Sequence, residues 1–170
     1  MNAPLWVAAP VFVIVGVATW ADVRTRKIPN RLTGAALLTG FLAQLALTGP
    51  KGLLIAAIGM LAAGAVFLPG WLLGFMGAGD VKLMAAVGAW LGFPGALLAA
   101  LSALVAGGVI ALIVAAKRGL LMQSIRRASL LGFHLAARTG LAPSVPTSGV
   151  RFPFAPAVLV GAAFVLWRQS

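Results

Sequence analysis

Apolar residues do not alternate along this chain. They run in long blocks divided by short clusters of Gly, Pro and charge. A block of about 20 mainly apolar residues, with a range of roughly 17–25, is the length that crosses a bilayer as a helix. Six blocks read as spans: 4–21, 32–48, 53–74, 80–92, 95–116 and 152–167. The first runs without a charge from Pro4 to Ala21 and stops at Asp22-Val23-Arg24, and the second follows Pro29-Asn30-Arg31. Gly49-Pro50-Lys51 divides the second block from the third, and Gly92-Phe93-Pro94-Gly95 divides the fourth from the fifth. Such Gly/Pro pairs mark turns. The fourth block is short for a full crossing. It is expected to begin inside the Gly-rich stretch before Asp80 or to lie in a locally thin, wet region.

Composition sharpens this picture. Of the 170 residues, 62% are hydrophobic and 9% charged, and the mean hydropathy is +1.08. A soluble domain is roughly 45–50% apolar and about 25% charged. A water-soluble globule of this size has too little polar surface here to cover it. Soluble, disordered and fibrous classes are excluded, which leaves an all-α polytopic membrane protein, expected as a single membrane-embedded domain over residues 1–170. The chain has no cysteine, which excludes disulfides, thiolate zinc sites and a cysteine nucleophile.

Six spans put both termini on one side, and the distribution of Lys and Arg decides which. The loops after spans one, three and five carry eleven basic residues: Arg24, Arg26, Lys27, Arg31, Lys82, Lys117, Arg118, Arg126, Arg127, Arg138 and Arg151. The opposite face carries only Lys51 and Arg168. Both termini are therefore expected outside and the odd-numbered loops in the cytoplasm. No Lys or Arg precedes the first apolar run, the reverse of a secretory signal peptide, so that run is expected to stay as an anchor. The net charge of +11 lies at membrane edges with no nucleic-acid-binding motif. It points to anionic lipid as a partner and away from nucleic acid. Residues 119–139 read as a cytoplasmic interfacial helix, with Gln123, Arg126, Arg127, His134 and Arg138 on one broad side interrupted by Leu130 and Leu131. Residues 140–151, rich in Pro, Ser and Thr, read as a linker within a basic loop over 117–151. His134 is the single histidine and has no second ligand for a metal.

Two acids break the pattern. The chain has no glutamate, and its only acids are Asp22 and Asp80. A carboxylate at the centre of a membrane helix costs about 2.5–3.5 kcal/mol, yet the topology puts both at the same leaflet, one ending span one and the other opening span four. Either alone reads as a juxtamembrane charge, since Arg24, Arg26 and Lys27 lie near Asp22 and Lys82 near Asp80. Together they are the raw material of a dyad. Like charges a few ångströms apart cannot both ionise, so such a pair holds one proton. The ionised member takes a proton from water, and the protonated member steadies the carbonyl oxygen under attack. No metal, cofactor, thiol or serine is required.

The local sequences agree with that use. Asp80 sits in Gly77-Ala78-Gly79-Asp80-Val81-Lys82-Leu83, a GxGD sequence whose glycines let another backbone approach. Their bland reading is small-residue helix packing. Asp22 is followed after five residues by Ile28-Pro29-Asn30, where proline fixes a turn and starts the next helix. By itself Pro-Asn is an ordinary loop signal.

The two motifs together, in this order and leaflet, closely resemble the prepilin peptidases, the GxGD membrane aspartyl proteases of type IV pilins, Flp pilins and pseudopilins. The resemblance spans most of residues 5–116 and is nearest to the short, single-module enzymes of the tight-adherence (Flp pilus) type. It implies that Asp22 and Asp80 are the catalytic pair, that Pro29 and Asn30 position the first loop, and that Gly77, Gly79 and Lys82 belong to the second motif. It also implies a prepilin or pseudopilin substrate with a short basic leader, cut at the cytoplasmic border of the bacterial inner membrane, commonly after a Gly. Longer relatives carry a tetracysteine zinc module and methylate the new pilin terminus. This chain lacks those cysteines, so methyl transfer is not expected. Presenilin-like GxGD enzymes fit less well, because their YD companion motif is missing. Two other classes stay open: a transport or proton-relay protein, as intramembrane acids often mark ion pathways, and a non-catalytic pilus-assembly subunit. Oligomeric state is not legible.

Overall fold

Inside a bilayer every backbone N–H and C=O must find its partner within the segment, so long apolar runs fold as helices. The computed structural model of the protein describes residues 5–117, 119 and 154–169. Among them are six helices: α1 (Leu5–Thr25), α2 (Asn30–Thr48), α3 (Pro50–Leu72), α4 (Ala78–Leu91), α5 (Gly95–Lys117) and α6 (Ala155–Gln169). Four helical stretches are long and apolar enough to cross a membrane: Val7–Thr25, Asn30–Thr48, Pro50–Leu72 and Gly95–Val114. α6 adds the shorter apolar stretch Ala155–Trp167. The protein is a polytopic all-α membrane protein, as its hydropathy predicts. Apart from Gly119, a turn residue, the interfacial helix expected over 119–139 and the linker over 140–151 lie outside the described residues, and so does His134.

One boundary lies beyond the expected span, and the start of α4 falls inside the Gly-rich stretch as expected. α1 continues one turn past Ala21, through Thr25, so Asp22 lies inside the helix. The Thr25 hydroxyl donates to the Ala21 carbonyl at 2.8 Å, and the Arg26 N–H donates to the Asp22 carbonyl at 2.8 Å. On this added turn the Arg24 guanidinium folds back over the Trp20 ring, 5.4 Å from its centroid. α4 starts at Ala78, within the Gly-rich stretch, and has 14 residues. That is about 21 Å at 1.5 Å per residue, well short of a hydrocarbon core of about 30 Å.

The described chain divides into two units. In the first, Met1–Gly107 with Arg151–Ser170, α4 is the central element and packs against α1, α2, α3 and α6. Its Leu83, Met84, Ala86, Val87, Ala89 and Trp90 are all buried, whereas Leu54 and Leu61 of α3 face outward. α3 and α4 touch through backbone: a Cβ on Gly59 would run into the Gly88 carbonyl oxygen, and one on Gly88 into the Gly59 carbonyl oxygen. Glycine at both positions is what permits helices this close. The second unit, Gly108–Val150, is described through the C-terminal part of α5, which ends at Lys117.

Tryptophans near the ends of membrane spans commonly face the interface, but Trp90 turns inward. Trp20, Trp71 and Trp167 are exposed, but Trp90 is 8% exposed and part of the core. Its Nε1–H donates to the Ala36 carbonyl at 2.9 Å, and its own carbonyl accepts from Gln44 Nε2 at 2.9 Å. The ring occupies the space where Gly40 has no side chain. Trp90→Phe removes a buried donor's bond and ring volume. It is expected to cost about 1–2 kcal/mol, seen as an earlier thermal unfolding midpoint in detergent with no change in activity per folded molecule.

Candidate active site

The apolar period of α1 explains where Asp22 points. Val11, Val15 and Ala18 are fully buried, and steps of four and three residues from them reach Asp22 on the same helix face. That carboxylate is 7% exposed. α4 follows the same logic from its other end: Asp80 leads into buried Leu83, Met84 and Val87, and is itself 6% exposed. α1 ends where α4 begins, so the only two acids of the chain enter one buried region from neighbouring helices. Asp22 lies near enough for its charge to act on Asp80.

Among the described residues, backbone N–H groups hold both carboxylates. Asp80 occupies the first turn of α4 and reaches back to its start, where Oδ2 accepts from the Gly77 N–H at 3.0 Å. The Asp80 N–H in turn donates to the Gly77 carbonyl at 3.1 Å. Asp22 Oδ2 accepts from the Ala155 N–H at 3.2 Å. Among the described residues, two buried side-chain polar atoms have no hydrogen-bond partner: Asp80 Oδ1, and the hydroxyl of Thr19 one turn before Asp22 on α1. A buried polar atom without a protein partner keeps its hydrogen-bonding capacity for another group.

The two sequence motifs meet in space. A Cβ on Gly79 would lie 3.2 Å from Ile28 Cβ, so the GAGD turn packs directly on the IPN segment. Pro29, extended at φ −62° and ψ 130°, is the residue before α2, and its carbonyl accepts from the Leu32 N–H at 3.0 Å. Asn30 opens α2, and its Oδ1 accepts from the Lys82 ammonium at 3.0 Å. Lys82 thus ties α4 to α2. A double-mutant cycle with Lys82→Ala and Asn30→Ala is expected to show coupling of about 0.5–1 kcal/mol in unfolding free energy. Additive effects of the two substitutions would rule out the tie.

One part of the site leaves little trace in sequence. Ala155 donates to Asp22 across 133 residues, and Phe154, just before α6, is a partner that local pattern does not suggest. The available signal is indirect. α6 begins after Phe154 with no Ser, Thr, Asp or Asn at its cap, which leaves first-turn N–H groups in need of an acceptor from elsewhere.

Two carboxylates in one buried region can share a proton and so act as base and acid in turn. Among the described residues no group of three or more His, Cys, Asp or Glu comes together as a metal site would need. The chain matches a family model described as the type IV leader peptidase family over residues 9–112, more than half its length and including both aspartates and both motifs. No curated protein and no solved structure matches it.

Proposed function

The chain belongs to the type IV leader peptidase family, and from that premise we propose that it is an aspartic endopeptidase removing the leader of type IV or Flp-type prepilins or pseudopilins. One observation carries the mechanism. The only two acids of the chain are buried on helices that pack together, each with one oxygen held by a backbone N–H, and among the described residues the other oxygen of Asp80 has no hydrogen-bond partner.

The pair holds one proton. The ionised carboxylate takes a proton from water as the water oxygen bonds to the scissile carbonyl carbon. The protonated carboxyl donates to the carbonyl oxygen, which becomes the hydroxyl of the tetrahedral intermediate. Collapse breaks the C–N bond as the hydroxyl returns its proton to the carboxylate that supplied it, re-forming the carbonyl, and the departing nitrogen takes up the proton first drawn from water. The pair is left with a single proton, ready for the next cycle.

Cleavage takes place at the cytoplasmic border of the inner membrane, by one membrane-embedded peptidase domain with both termini outside. The eleven-to-two division of basic residues supports that orientation. Arg24, Arg26, Lys27, Arg31 and Lys82 are exposed around the motifs, which suits contact with anionic lipid headgroups. Co-expression with a Flp-type prepilin tests the substrate. The pilin is expected to shorten by the mass of its leader, with a single new N-terminus by mass spectrometry. A pilin left at full length beside membrane-inserted wild-type chain overturns the assignment.

A further inference from the structure

We propose that Phe154 is a positioning residue of the peptidase site: its ring fixes the start of α6, and that start holds Asp22 in place. This rests on the reading of Asp22 as one of the two working acids.

The observations form a short chain of contacts. The Ala155 N–H is a first-turn donor of α6, with no acceptor inside its own helix, and it donates to Asp22 Oδ2 at 3.2 Å. Whatever fixes the start of α6 therefore fixes one oxygen of that carboxylate. Phe154 is the anchoring residue by its backbone, since its carbonyl accepts from the Ala157 N–H at 2.9 Å and the Val158 N–H at 3.3 Å. Its side chain is held from two sides. The ring stands edge-on to Phe67, with centroids 5.5 Å apart and planes at 85°, and Phe67 is fully buried in α3. On the other side it lies over Gly107 of α5, where an added Cβ would run into ring atoms Cε2 and Cζ. α3 and α5 thus grip one ring, and the peptide following that ring grips the aspartate.

The distance makes the grip consequential. At 3.2 Å the Ala155–Asp22 bond is already at the long end of the N–H···O range, which runs to about 3.2 Å. A shift of about half an ångström at the start of α6 breaks it. Misplacement on the scale of an ångström is known to cost rate out of proportion to its size. Because Phe154 acts through Asp22 and not on substrate, its loss should appear in turnover and leave substrate affinity alone.

The test uses the full chain in detergent with a Flp-type prepilin and compares Phe154→Ala, Gly107→Ala, both together, and Asp22→Asn, each checked for folding by thermal unfolding. Phe154→Ala is expected to lower kcat about tenfold or more, the scale of one hydrogen bond to a charged group, with KM within about twofold. Gly107→Ala pushes on the same ring from the far side without touching Phe154, so it should lower kcat in an otherwise wild-type chain. In the Phe154→Ala background it should add nothing, because the atoms it meets are gone. Wild-type kcat in both folded single variants, or an effect confined to KM, overturns the proposal while Asp22→Asn is inactive. Wild-type cleavage by Asp22→Asn instead overturns the dyad itself, and this proposal with it.

Discussion

Asp22→Asn and Asp80→Asn are each expected to stop leader removal, lowering the rate by about 10²–10⁴-fold, the usual contribution of a positioned acid or base. Asparagine keeps the size of the side chain and an oxygen that can accept from the Ala155 N–H or the Gly77 N–H. What it loses is the ability to carry and transfer a proton. The variant chains should insert and accumulate like wild type, since a neutral amide is easier to bury than a carboxylate. In a co-expression assay the prepilin stays at full length with either variant, and the double variant is no worse than the singles, because the two groups act as one unit. The pH dependence follows from the same requirement. Below the titration of both groups each carries a proton and neither can take one from water. Above it both are ionised and neither can donate to the carbonyl. Wild-type cleavage is therefore expected to rise and fall with pH and to vanish at strongly acidic values. Cleavage by either folded single variant at the wild-type rate would remove the two-carboxylate mechanism and return weight to an assembly role, in which Asn serves as well as Asp.

The second large effect lies in the α3–α4 contact that carries Asp80. Gly→Ala within a helix normally gains up to about 1 kcal/mol from backbone entropy. At Gly59 and Gly88 the sign should reverse. A Cβ on Gly88 would meet the Gly59 carbonyl oxygen and lie 2.8 Å from Ala63 Cβ, and one on Gly59 would meet the Gly88 carbonyl oxygen and lie 2.9 Å from Gly92 Cα. Neither neighbour is a flexible side-chain end that can swing away, so the helices must separate. Overpacking of this kind costs about 1–3 kcal/mol, occasionally more, and outweighs the propensity gain. Gly64→Ala is the internal control on the same helix, because its Cβ would lie 3.6 Å from Ala85 Cβ, an ordinary contact. Thermal unfolding in detergent should show Gly59→Ala and Gly88→Ala destabilised and Gly64→Ala unchanged or improved. Cleavage should fall in the first two as Asp80 moves with α4. Equal behaviour of the three variants would mean that the close approach does not set stability.

Much of this arrangement is legible in the residues alone. The blocks ending at Ala21, Thr48 and Ala116 appear as helices because transfer of apolar residues into the bilayer is a local property, summed residue by residue. The two aspartates stand out because nothing else in the chain is acidic. The GAGD and IPN segments pair through a family resemblance, and the family match over residues 9–112 agrees with it. The partner of each group is what local sequence leaves open. Lys82 is free by sequence to meet Asp80 or lipid, yet it meets Asn30. Trp90 closes the α2–α4 contact from near the end of its span, where an interface position is as natural by sequence. The missing cap of α6 leaves the Ala155 N–H in need of an acceptor, but no local cue names Asp22 as that acceptor.

Span positions, helical class and the identity of the acids are thus properties of the chain read alone, since hydropathy and charge act over one or two turns. Pairing is different. The bond from Ala155 to Asp22 joins residues 133 positions apart, and the Gly59–Gly88 contact depends on which faces α3 and α4 turn to each other. Those choices follow from how the helix surfaces interlock, a property of the packed whole that leaves almost no mark on local composition.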